Sequence, residues 1–179
     1  MFHPDTQFLI DHWTGLARGR GARGGIPARA ALEPAALGLR LPRTLVAERR
    51  GDQSTLRLAG GWIEAFHGGP LKNRPLLSLW RTASHGAVGA SVVQSLREAR
   101  PVVIIAHAGQ AASRIEIVIA PLRGPTGQVD QILGLYAPST TLTLSVDEPR
   151  LLTARLSIGV GETARAPLSL ATVHGRRLA

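Results

Sequence analysis

An α+β fold built on an antiparallel sheet is what this sequence predicts, on three observations. Two strand-like runs, residues 44–50 and 55–59, flank Gly51-Asp52-Gln53-Ser54, and Gly-Asp between β-like runs is a hairpin signal. Three more strand-like runs, 102–108, 114–122 and 128–137, close the body. Between the two groups lie apolar segments too short to be stable helices by themselves; they need a flat apolar surface to lie on.

Taken in order, residues 5–17 read as a helix that Asp5 or Thr6 can cap, with Phe8, Leu9, His12, Trp13 and Leu16 at helical spacing. This helix stands outside the sheet, so its apolar face either packs on the sheet or meets a second copy. Residues 18–25, with four glycines in eight, cannot hold a helix. They read as a solvated linker, the alternative being an RGG-like anion contact. Residues 26–39 carry a helical Ala/Leu pattern around Pro27 and Pro34, the latter suited to the first helical position. Arg29 is read as structural, a tie from this lead-in to the core.

After the hairpin, Gly60-Gly61 opens a short apolar-aromatic segment, Trp62-Ile63-Glu64-Ala65-Phe66, which His67-Gly68-Gly69-Pro70 breaks. Leu76-Leu77-Ser78-Leu79-Trp80 is a second such segment. Residues 83–97 form the longest helix of the body, with Ser84 as N-cap and Val88, Val92, Val93 and Leu96 as its stripe. Residues 102–108 are nearly all apolar and read as a buried, central strand. In 114–122, Ile115, Ile117 and Ile119 point one way, Glu116 and Val118 the other. Residues 151–159 suit one more strand or a short helix. The division expected is 1–40 as N-terminal helix and lead-in, 41–138 as core, and 139–179 as a partly ordered appendage without a recognisable output domain.

The order of short motifs resembles the stand-alone bacterial PAS family typical of alphaproteobacteria. The motifs are His12-Trp13, Ile26-Pro27-Ala28-Arg29, Leu41-Pro42, Leu58-Ala59-Gly60, Gly68-Gly69, the run 70–76, and Leu79-Trp80, over roughly residues 5–137. The resemblance implies a PAS-like five-stranded sheet in the order 2-1-5-4-3, with short helices and one longer helix on one face. It also implies a pocket between sheet and helices. By position, its lining candidates are Trp62, Phe66, Leu77, Trp80, Val92, Ile105, Ile117, Leu133 and Leu135. The competing reading is that all of these are closely packed core. The family's N-terminal helices often pair between copies, which makes Phe8, Leu9, His12, Trp13 and Leu16 the candidate dimer or partner face.

Composition bounds the function. With 44% apolar residues and 179 in all, the chain holds one domain with a real core. Cysteine is absent, which removes disulfides, thiolate nucleophiles and cysteine-linked photochemistry. The net charge of +9 raises nucleic acid as a partner. Nearly all of that charge is arginine spread along the chain, Lys72 being the only lysine, so nucleic acid is not expected. There is no signal pattern and no membrane-length apolar run, which points to a soluble cytoplasmic protein.

Catalysis is not expected either. The twelve acids form no paired motif, no serine sits in a G-x-S-x-G context, and the six histidines lack metal-site spacing. Gly159-Val160-Gly161 lacks the rest of a phosphate loop. Some PAS sensors hold haem through a histidine on the long helix; here that would be His85, in the first turn. His67 follows a short helix and His107 ends a strand. Capping or surface roles account for such positions, so neither haem nor flavin is expected and no cofactor is required. The function predicted is a PAS sensory or adaptor protein acting in trans, as a homodimer with a protein partner, a small-molecule ligand, or both. The alternatives are a ligand-free structural interaction module and a basic nucleic-acid binder.

Overall fold

The computed structural model describes residues 1–19, 22–108, 113–139 and 150–161. Its strands are β1 (Thr44–Arg50), β2 (Gln53–Ala59), β3 (Val102–Ala108), β4 (Ser113–Arg123), β5 (Val129–Pro138) and β6 (Leu152–Gly159). They form one sheet in the order β2-β1-β5-β4-β3-β6, antiparallel at every pairing. The first five strands have the predicted order.

The sixth strand, in the segment read as an appendage, pairs with β3 from Val102↔Gly159 to Ala108↔Leu152, with a bulge between Ile105 and Ala106. It resolves a tension in the sequence. A five-strand order leaves β3 at an edge, yet its residues are apolar on both sides; β6 takes the edge and makes β3 interior.

Strand side chains alternate, so the sheet feeds two cores. On one face Leu45, Ala47, Ile104, Ile115, Ile117, Ile119, Ile132 and Tyr136 meet the roof: α3 (Gly61–His67), one-turn helices at Leu76–Leu79 and Thr82–Ser84, and α4 (His85–Glu98). On the other face Val46, Val103, Val118, Ala120, Leu122, Leu133 and Leu135 meet α1 (Pro4–Arg18). The N-terminal helix thus packs on the sheet, opposite the roof.

Two motifs of the sequence meet in space. A Cβ on Gly60 would lie 2.3 Å from the Pro42 carbonyl oxygen and 2.5 Å from that of Leu41. Gly60 also donates its N–H to the Thr44 carbonyl at 2.8 Å. Leu41-Pro42 therefore crosses Leu58-Ala59-Gly60 at a distance only a residue without a side chain allows. α3 ends at Gly68, which takes a left-handed φ of 85° that glycine adopts without steric cost.

Local expectations are corrected in four places. The cap of α1 is His3, whose Nδ1 accepts from the Asp5 N–H at 3.1 Å; Asp5 and Thr6 lie inside the helix, behind Pro4 at its start. Ser84 does not cap α4 with its side chain; its hydroxyl accepts from the Ala154 N–H at 3.0 Å and ties the roof to β6. Along α4, Val88 and Val92 are buried, but Val93 and Leu96 only partly so. Arg29 is exposed, and the lead-in is held by Arg123 instead: its N–H bonds the Pro27 carbonyl at 2.9 Å, and its Nε bonds the Arg23 carbonyl at 3.0 Å.

Candidate functional site

Under α3, four aromatic rings converge. Trp62 stacks on Phe66 with centroids 5.3 Å apart, and Tyr136 from β5 meets Trp62, Phe66 and His67 edge-on at 6.3, 6.2 and 5.9 Å. Helical spacing puts Trp62 and Phe66 on one side of α3, and Gly68 stops the helix just after His67 has turned inward. Within this apolar setting His67 Nε2 lies 3.2 Å from the Tyr136 hydroxyl, and the two residues are 5% and 1% exposed.

Burial drives the His67 pKa down to about 4, the Arg74 charge acting in the same direction, while a hydrogen bond to the Arg150 backbone opposes them. A backbone partner that favours the protonated ring is a carbonyl acceptor. The neutral ring therefore keeps its proton on the nitrogen facing Arg150, and Nε2 accepts from the tyrosine O–H. Burial also raises the Tyr136 pKa above the usual phenol range, so both groups are neutral at pH 7. Arg150 closes the cluster from outside, its guanidinium carbon 5.6 Å from the Phe66 centroid. Chemically the pair is an orienting hydrogen-bond element in an apolar enclosure. Among the described residues no three His, Cys, Asp or Glu side chains gather closely enough to hold a metal ion.

The predicted pocket residues divide between the faces. Phe66, Trp80, Val92 and Ile117 are buried in the roof-side core, with Trp62 and Leu77 packed against it. Ile105, Leu133 and Leu135 belong to the α1 side. The correction is one of register: on β5 the inward residues are Ile132, Gly134 and Tyr136. Where Trp80, Ile117, Ile132, Gly134 and Tyr136 come together with Leu45, the enclosed space is about 10 Å³, room for at most one water. Leu45 fills the volume that a side chain on Gly134 would need, lying 2.7 Å from that Cβ position.

The predicted partner face of α1 is also corrected. Leu9 and Trp13 are buried against the sheet of their own chain, 0% and 5% exposed, with Thr6 and Ile10. The Trp13 indole N–H donates to the Pro121 carbonyl at 2.7 Å. Phe8, His12 and Leu16 remain partly exposed beside this stripe. Phe8 stacks on His12 with centroids 5.8 Å apart and carries Arg40 over its ring at 3.9 Å. Arg40 and Arg43 also pair with Asp5 at 2.8 and 2.9 Å.

Sequence reading missed the His67–Tyr136 pair. The only signal was a lone tyrosine in phase with Ile132 on β5 and a histidine at the end of α3.

An antiparallel sheet whose first five strands run in the order 2-1-5-4-3, roofed by short helices over an aromatic enclosure, defines the PAS class of sensory or interaction modules. The PAS-domain family model matches residues 1–137, about three-quarters of the chain, and the protein belongs to that family. β6 lies beyond the matched region. No curated protein matches the chain.

Proposed function

We propose that this chain is a cytoplasmic PAS sensory and adaptor protein that signals in trans as a homodimer, through the exposed side of α1. The carrying observation is the alternation in β4. Ile117 and Ile119 reach the roof-side core while Val118 and Ala120, their immediate neighbours, touch the α1-side core. A displacement of the roof is thereby felt at α1 across one layer of sheet. A ligand or partner acting on the roof shifts this equilibrium by its differential affinity for the two arrangements. Among the described residues no helix is long and apolar enough to cross a membrane. The tight packing around Trp80 favours a second reading, an interaction module without a ligand.

Native mass spectrometry of the full chain tests both. The expected species is a dimer, and Phe8→Glu and Leu16→Glu give monomers that stay folded by circular dichroism. A small-molecule mass on the dimer supports sensing by ligand; a bare dimer supports the second reading. A monomeric wild-type chain, or a dimer indifferent to both substitutions, overturns the proposal.

A further inference from the structure

We propose that an open groove between α4, β1 and the β4–β5 turn binds a small amphipathic organic anion, a carboxylate or phosphate monoester with a short apolar tail. The groove measures about 470 Å³ and is lined by Arg49, Arg97 and Arg123 together with the apolar Val93, Leu96 and Val129, with no carboxylate among its described lining residues. It is separate from the aromatic enclosure: Val129 and Tyr136 stand at opposite ends of β5, ~23 Å apart at strand spacing.

Three cations from distant parts of the sequence line the groove, and their charge, only partly offset by Asp52 beside Arg49 and Glu98 near Arg97, favours an anion. Arg123 is pinned by its bonds to the Arg23 carbonyl and, through Nη1 at 2.8 Å, to the Gly127 carbonyl. These bonds use three of its five N–H donors and pre-organise the rest. Among the described residues the ion-pair partner of Arg49 is the exposed Asp52 at 3.4 Å, a contact easily exchanged for an incoming anion. Arg97 is exposed in the last turn of α4. The negative end of the helix dipole there amounts to roughly half a charge, which three guanidinium groups outweigh. Guanidinium forks match carboxylate and phosphate oxygens, and Val93 and Leu96, half-buried in the lining of the groove, suit a short alkyl chain.

Titration calorimetry of the full chain with hexyl phosphate, inorganic phosphate and anionic phospholipid vesicles tests this. Hexyl phosphate is expected to bind saturably, at least about tenfold more tightly than inorganic phosphate because of its tail. Arg97→Gln and Arg49→Gln each weaken it by about tenfold, while Arg155→Gln, which removes an exposed charge on β6, leaves it unchanged. The proposal is overturned if hexyl phosphate gives no saturable heat, if all three variants weaken binding equally, or if only vesicles bind.

Discussion

His67 accepts a hydrogen bond from Tyr136 at 3.2 Å inside an aromatic enclosure, joining the last turn of the first roof helix to β5 in the interior of the sheet. The roof elements are too short to hold themselves. A polar bond buried among rings specifies where α3 sits in a way that apolar contact alone does not.

Acid should act through this bond. The folded-state pKa of His67, about 4, lies below its ordinary value of 6.5. Between these values the unfolded chain binds the proton and the folded chain does not, so stability falls as pH drops from about 6.5 to 4. For a residue this buried the loss is roughly 3 kcal/mol. Unfolding midpoints measured across this window should fall for the wild type and flatten in His67→Gln; equal slopes in the two proteins would remove His67 as the cause.

Removing the tyrosine hydroxyl alone leaves His67 Nε2 buried without its donor. Tyr136→Phe is expected to cost about 1–3 kcal/mol in denaturant unfolding at pH 7. It should also speed hydrogen exchange in α3 more than in β3. A neutral effect on both would mean that the pair does not anchor the roof.

Trp13 fastens α1 to the opposite face. Trp13→Ala should lower stability by about 3–5 kcal/mol. Trp13→Phe, which keeps most of the packing but drops the bond to the Pro121 carbonyl, should cost about 1–3 kcal/mol. Chemical denaturation checks the order of the two; a Trp13→Ala protein as stable as wild type would contradict the burial of this ring.

Gly60→Ala tests the crossing of Leu41-Pro42 over the start of α3. Backbone oxygens occupy the place of the new methyl group, and backbone yields less readily than a side-chain tip. A destabilisation of about 1–3 kcal/mol is expected. At Gly134 the obstacle is the Leu45 side chain, its Cγ as well as its Cδ1, so adding Gly134→Ala to a Leu45→Ala protein should cost less than Gly134→Ala costs the wild type.

The edge strand makes a fifth prediction. Leu152 is fully buried, and its carbonyl accepts from the Arg81 N–H at 2.9 Å. Leu152→Ala should therefore cost about 2–5 kcal/mol and raise hydrogen exchange along β3. Exchange in β3 unaffected by this change would show that β6 does not protect it.

Much of this was legible because it is local. The hairpin at Gly51-Asp52, the stop at Gly68, the helical period of residues 5–17 and the alternation of Ile115, Ile117 and Ile119 each depend on neighbours in the chain. Ile105, Leu133 and Leu135 were misplaced because a strand apolar on both sides carries no mark of which side faces the roof. The bulge between Leu122 and Arg123 shifts the β4–β5 register near the turn, and no composition signal announces it. Arg29 looked like the tie of the lead-in and Arg123 did not, since a carbonyl-binding arginine has no local signature.

Hydrophobic period and turn chemistry decided the α+β class and the strand succession, because each acts over a few residues. The two-sided core, the sixth strand beside β3, the burial of Trp13 and the meeting of His67 with Tyr136 were decided by the folded sheet. Trp13, for one, bonds a carbonyl 108 positions away, and contacts of that span exist only once strand pairing has fixed which faces and edges are near one another.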